Sequence, residues 1–339
     1  MLALIACAFV LLLGVPLVPG LLELRRPRDG KPLGVDPEYS RDPRYFGRQF
    51  RSQLLHRLER NPLEPATDSL QGQLLIEPDL RIFDALNLTA KSTQLVLLIA
   101  RRSSTIGDNC QIGECYFADG VTLGNGTTVT CLAADADTRI GSNCRVDQWI
   151  DVEGNLYVKD NCDLGKSTTA EGKLQLEAGC HFHRLWGLPI QTLPAKAGLA
   201  IQKTGLPLPS SIDQAVVWGN HKLSLPKDTI LSRDLVVYGD LEIGENSSLF
   251  GNIKTHGTLT VGASVRIEGN IFSRKSMFLG VNSQILGNLF SEKEIYLASG
   301  TTVGDTFRQK SVIAAGQIRI EPEVTIFGWV LTEKGGSTE

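Results

Sequence analysis

Seven cysteines and five histidines are the residues best suited to chemistry, and their spacing decides what chemistry is open to them. Cys144, Cys162 and Cys180 recur at 18-residue intervals, and Cys110 and Thr127 extend the series towards the N-terminus at intervals of 17. A structural zinc site takes its thiolates from close pairs, with roughly two to four residues between ligands. Ligands 18 apart meet only if the chain coils with that period, and coiled strands would hold their Cβ atoms about 4.8 Å apart. A disulfide needs roughly 3.5–4.5 Å. The series therefore reads as a ladder of small buried thiols filling a narrow corner, as suits a reducing compartment. His181 and His183 could face one way from a strand, but no third ligand accompanies them, so no metal centre is expected. No glycine-rich phosphate loop or GxSxG elbow is present, and no cofactor and no catalytic residue are assigned.

A second group of chemically active residues is cationic. Arg25, Arg26, Arg28 and Lys31 follow an uncharged stretch from Leu2 to Leu22, long enough to cross a bilayer as a helix of about 20 residues. No Lys or Arg precedes that stretch, as a cleaved signal peptide would require, so residues 1–22 are expected to be an anchor. Cations on its C-terminal side alone put the N-terminus outside and the bulk of the chain in the cytoplasm. Asp42 and Pro43 read as an N-cap and a first helical residue, and Phe46, Phe50, Leu54 and Leu58 recur every four residues behind them. Residues 23–60 thus carry a basic amphipathic helix. Its Arg44, Arg48 and Arg51 join Arg25, Arg26, Arg28 and Lys31 as the candidate membrane-surface set. The competing reading packs this helix on the following domain and leaves its charges solvated.

The elements that would position the remaining residues are β-strands. The chain has 339 residues, 42% hydrophobic and 21% charged, enough to bury a sizeable core. Its net charge of −3, from 34 basic and 37 acidic residues, argues against a nucleic-acid binder. Glycine at 34 residues and an aromatic content of 6% suit a turn-dense β architecture.

From Val217 the pattern repeats every six residues, and three pieces such as LVVYGD, LEIGEN and SSLFGN make an 18-residue unit. Val217, Leu235, Ile253, Ile271 and Leu289 fall in one column. Leu223, Leu241, Leu259, Met277 and Ile295 form a second, and Gly251, Gly269 and Gly287 a third, each glycine followed by Asn. Two apolar residues flanking an outward one make a very short strand. The Gly–Asn pairs are read as corners where positive φ is tolerated. The fold class is therefore all-β, a parallel β-helix of hexapeptide-like 17–18-residue coils. An earlier block over residues 94–180 repeats through Ile106, Leu123, Ile140, Val158 and Leu176. Residues 61–93 are expected to be a cap or linker, and residues 181–216, with Pro189, Pro194, Pro207 and Pro209, a linker or loop excursion. The second block covers 217–330, and 331–339 is expected to be a frayed tail. A terminal coil exposes unpaired backbone groups. The apolar run Ile326, Phe327, Trp329, Val330 and Leu331 is accordingly expected to join two chains end to end, with a folded-back cap as the alternative.

Residues 217–306 resemble the bactofilins, bacterial polymer-forming cytoskeletal proteins. The phrases LVVYGDLEIGENSSLFGNI and LTVGASVRIEGNI carry the resemblance. It implies a right-handed three-sided β-helix, nucleotide-independent assembly through the helix ends, and scaffolding of cell-envelope enzymes in cell shape. The expectation is a single-pass inner-membrane scaffold, not an enzyme, whose partners are membrane lipid, further copies of itself and envelope enzymes. Two other readings stand beside it. One is a hexapeptide-repeat acyltransferase acting on envelope precursors, with His256 as its base at a coil edge. The other is an exported polysaccharide-binding β-helix.

Overall fold

Each coil of this chain turns at a corner that demands a left-handed backbone. The computed structural model describes residues 42–60, 73–77, 80–193, 217–219 and 222–339. Asn109, Gly126, Asn143, Asn161 and Gly179 in the first block, and Asn246, Ser264, Asn282 and Gly300 in the second, have φ between 55° and 74°. Asn and Gly enter this region at least cost, which explains their dominance. The residue after each corner turns inward, and these are the positions of Cys110, Thr127, Cys144, Cys162 and Cys180, and of Ser247, Val265, Ser283 and Thr301. The Gly–Asn pairs expected to supply positive φ do something else. A Cβ on Gly269 or Gly287 would lie 2.0 Å from the carbonyl oxygen of the glycine one coil earlier, so close stacking of backbones sets these positions. Asn252, Asn270 and Asn288 beside them form a side-chain ladder, each amide donating to Asp or Asn 18 residues before it.

Among the described residues the chain is a parallel β-solenoid of about 13 turns with 18-residue spacing, and α1 (Tyr45–Arg60) is its one helix. Leu235, Ile253, Ile271 and Leu289 pair in register, as do Leu241, Leu259, Met277 and Ile295, and all are buried. Ile106, Leu123, Ile140, Val158 and Leu176 form the matching column of the first block. That block starts earlier than the periodicity suggests. Strands Leu80–Phe83, Asn87–Leu88 and Thr93–Gln94 already form its first coil, with Gln73–Glu77 paired antiparallel against Leu80–Phe83 as an edge strand.

The two blocks meet through their C-terminal strands. His181–Thr192 is not a loop excursion but a 12-residue strand that spans two sides of the first block's last coil. It pairs antiparallel with Thr325–Thr338, the last strand of the second block. Residues 331–338 are therefore not frayed: Thr332 and Thr338 are buried, and a Cβ on Gly336 would collide with the Phe182 ring. Nor is the run Ile326, Phe327, Trp329, Val330 and Leu331 free to join two chains, because it faces His181–Thr192 of its own chain.

The junction is reciprocal. Thr338 takes the next place in the first block's corner series. Its hydroxyl donates to Glu177 O (2.7 Å) and accepts from Cys180 N (2.9 Å), its amide donates to Cys180 O, and its carbonyl accepts from Gly179 N. Thr192 does the same in the second block. Its hydroxyl donates to Glu321 O (2.7 Å) and accepts from Val324 N (3.0 Å), its amide donates to Val324 O, and its carbonyl accepts from Glu323 N. A pseudo-two-fold axis passing by the paired Leu185 and Val330 relates the two sets. Each solenoid thus ends on a threonine that completes the other.

A buried hydroxyl that satisfies both a donor and an acceptor leaves both unpaired when it is removed, at about 1–3 kcal/mol. Thr338→Val and Thr192→Val are expected to lower unfolding stability by similar amounts in that range. Ser337→Val, one residue along, should change it by less than about 0.5 kcal/mol. Urea unfolding of the three variants checks this.

Candidate functional site

Helix α1 lies on one outer face of the first block, and the residues that bring it there are charged as well as apolar. Its buried stripe runs Arg44, Gly47, Arg51, Leu54 and Leu58, at the three- and four-residue spacing of one helical face. Leu54 packs with Leu80, Ile82 and Ile99, joined by Phe50, Leu58, Leu97 and Tyr116, and the Phe50 ring meets Trp149 edge-on at 5.3 Å. At the other end of the helix a Cβ on Gly47 would lie 2.2 Å from the Asp151 carboxyl group, so only glycine permits this approach.

Asp151 is the centre of an ionic clasp. Arg44 grips it with Nε on Oδ1 (2.8 Å) and Nη2 on Oδ2 (3.0 Å), Thr169 donates its hydroxyl to Oδ1 (2.6 Å), and Arg51 Nη1 reaches Oδ2. Arg44 also pairs with Glu171 and, at 3.4 Å, with Glu153. Arg51 donates to Asp135 Oδ1 (2.7 Å) and to the carbonyl of Ala134 (2.8 Å), and the Tyr116 hydroxyl donates to Asp135. The side chains of Arg44 and Asp151 are only 1% and 2% exposed. Burial disfavours the charge on Asp151, but the hydrogen bond and charge of Arg44, with Thr169 and Arg51, outweigh it and hold its pKa below the usual carboxylate range. Burial likewise opposes the charges of Arg44 and Arg51, and the carboxylates opposite raise both pKa values. Burial, then Asp135, pushes the Tyr116 phenol up.

This geometry corrects part of the membrane-surface set. Arg44 and Arg51 face the solenoid because a buried carboxylate needs them there. Arg48 is exposed, while Arg25, Arg26, Arg28 and Lys31, like the apolar span 2–22, lie outside the described residues. Among the described residues no helix is long and apolar enough to cross a membrane.

The cysteine ladder forms as spaced. Cys110, Cys144, Cys162 and Cys180 are buried free thiols, each aimed at a backbone carbonyl of the preceding coil at 3.1–3.3 Å. Thr127, Ser283 and Thr301 place hydroxyls on equivalent carbonyls, so the thiols act as corner donors. The neighbouring thiols Cys144 and Cys180, together with burial, keep Cys162 well above the ordinary thiol pKa. Burial also pushes Cys131 up to about 11. His181 and His183 are exposed on one face of their strand, and no group of three or more potential metal ligands occurs among the described residues. His256 stacks flat on Tyr238 at 5.0 Å. A shallow groove of 420 Å³ crosses another face of the first block over Thr128, Thr130, Arg145 and Asp147.

Sequence reasoning missed the acidic half of the clasp. Its signal was present: Asp135, Glu153 and Glu171 are spaced 18 apart and line one corner, two residues beyond the column of Ala133, Asp151 and Thr169. Comparison with family models, with curated proteins and with solved structures returns no match.

Asp151→Asn removes the centre of a buried ion pair, a loss of about 3 kcal/mol. The folded pKa of Asp151 lies below its unfolded value. Its contribution is therefore present above about pH 4 and is lost as pH falls through the folded value. Wild-type stability, followed by denaturant unfolding and tryptophan fluorescence, is expected to fall more steeply on acidification than that of Asp151→Asn.

Proposed function

We propose that this chain is a non-enzymatic structural scaffold, a membrane-anchored rod that self-associates and organises cell-envelope or cell-shape machinery, as the bactofilins that residues 217–306 resemble do. The observation that carries this reading is the reciprocal Thr192–Thr338 junction. It makes one continuous stack of two solenoids, about 13 coils at about 4.8 Å, or about 60 Å in length. Both C-terminal edges are consumed in the middle, and both outward ends of the rod are N-terminal coils.

In this reading residues 1–22 cross the bacterial inner membrane, Arg25, Arg26, Arg28 and Lys31 lie on its cytoplasmic leaflet, and the coils wind right-handed. The ionic clasp supports it, since it fastens the segment that follows the anchor to the flank of the rod. Self-association then falls to the outer coil of the second block. Among the described residues its strands Leu223–Leu225 and Ile230–Leu231 pair on one side only, and Ile230 is 70% exposed. An unpaired strand with an exposed aliphatic side chain is a template for a further chain.

Full-length protein in detergent is expected to show concentration-dependent assemblies of rods by light scattering and negative-stain microscopy. Ile230→Lys should reduce them to single rods with unchanged β-type circular dichroism. Wild-type protein that stays as single rods at micromolar concentration would refute self-association. A cytoplasm-active reporter fused after Glu339 should work, and activity from a periplasm-active reporter alone would overturn the topology.

A further inference from the structure

The pseudo-two-fold axis at the junction gives each outer position of the first block a counterpart in the second. Trp186 and Leu331 follow the axial pair Leu185–Val330, and one coil away lie Thr169 and Ile313. Two coils away lie Asp151 and Phe290, and three coils away Ala133 and Phe272. On the first block this column is small and acidic, and α1 covers it through Arg44, Gly47 and Arg51. On the second block the same column is apolar. Phe272 and Phe290 stack at 5.3 Å and 8°, Ile313 and Leu331 continue the line, and Phe290 is 38% exposed. An ordered apolar stripe on an outer sheet face marks an interaction surface.

The rim of the stripe is cationic. Lys254 stands 5.6 Å above the Phe272 ring, and Lys275 and Arg308 are exposed. Of the nearby carboxylates, Glu292 pairs with Arg274 at 3.7 Å, Asp305 accepts the amides of Phe307 and Arg308, and Glu333, two residues beyond Leu331, is exposed. That last turn, closed also between Asp305 and Arg308 main chains, fixes Phe307 at the corner leading into the Ile313 strand with 95% of its surface exposed. An exposed aromatic residue on a closed turn next to an apolar strand face adds to the surface open to a partner.

We propose that the Phe272–Phe290–Ile313–Leu331 stripe docks an amphipathic helix of a partner protein, with an apolar ridge and acidic flanks, on the face that corresponds to the one α1 covers on the first block. Four coils cover about 14 Å, or nearly three helical turns. The charge pattern is the reverse of the clasp, where a helix brings cations to an acidic face, so α1 itself does not fit here. The proposal deepens the scaffold reading, on which it rests for the existence of a client protein.

The probe is a stapled 14-residue helical peptide with leucines at i, i+3, i+4 and i+7 and glutamates on its flanks, titrated by fluorescence anisotropy against the full-length protein. Binding is expected to be at least tenfold tighter than for the same peptide with lysine flanks. Phe290→Glu should weaken it at least tenfold, whereas Phe278→Glu, on the adjacent face, should stay within twofold. Ile230→Lys should bind as wild type does, which separates this surface from self-association. Equal binding of the two peptides, or an unchanged affinity in Phe290→Glu, would overturn the proposal. So would dissolution of the assemblies by Phe290→Glu, since a second copy would then be the occupant.

Discussion

Every strand of a solenoid is satisfied by the coil above and the coil below, so only terminal coils carry unpaired backbone groups. In this chain two such edges are turned against each other, and most other features follow. Parallel stacks can continue each other only head to tail, but the two C-terminal strands meet with opposite polarity. They succeed because His181–Thr192 and Thr325–Thr338 are long enough to run past each other, and because each ends on a threonine able to act as a corner residue in the opposing block. A coil corner takes a small inward residue, and at most corners Cys, Ser or Thr interchangeably donates to a carbonyl of the coil before it, while Val265 fills the place without a donor. The cysteines of the first block belong to this geometric series.

The clasp answers a different constraint. A helix laid on a flat sheet usually relies on apolar burial, yet the middle of this face carries Ala133, Asp151 and Thr169 and offers little to bury. The helix is held there by two guanidinium groups that converge on one dry carboxylate, with Asp135, Glu153 and Glu171 at the rim. Such pairs add little net stability but tolerate almost no displacement, since a buried charge without its partner is costly. The apolar half, around Leu54 and Ile99, supplies burial, and the ionic half sets the register.

How much of this was legible in the sequence depends on the range of the interaction. The columns through Ile253 and Ile140 could be read directly, because each aliphatic position repeats against itself one coil away. The thiol ladder was legible for the same reason. The corners were misplaced because glycine serves two purposes here, and the sequence does not distinguish Gly300, which needs positive φ, from Gly287, which needs an absent Cβ. Arg44 and Asp151 lie 107 residues apart, and no periodicity links them. The apolar run at 326–331 did signal an edge in need of a partner. Hydrophobicity alone could not say that the partner strand lay in the same chain, and His181–Thr192 hid itself by losing the six-residue beat while spanning two sides of a coil.

The junction also separates two time scales of folding. Within each block nearly every contact joins residues about 18 apart, so coils can form and propagate from many starting points, as in other repeat proteins. The bond from Thr338 to Glu177 spans 161 residues. Closing so long a loop costs more entropy than pairing adjacent coils, so this closure is the least local step in the fold, and each stack can assemble without it. Any state in which the two halves are folded but not yet joined presents two unpaired edges. The most exposed moment in the life of this molecule is therefore docking, when another chain's half offers the same edge.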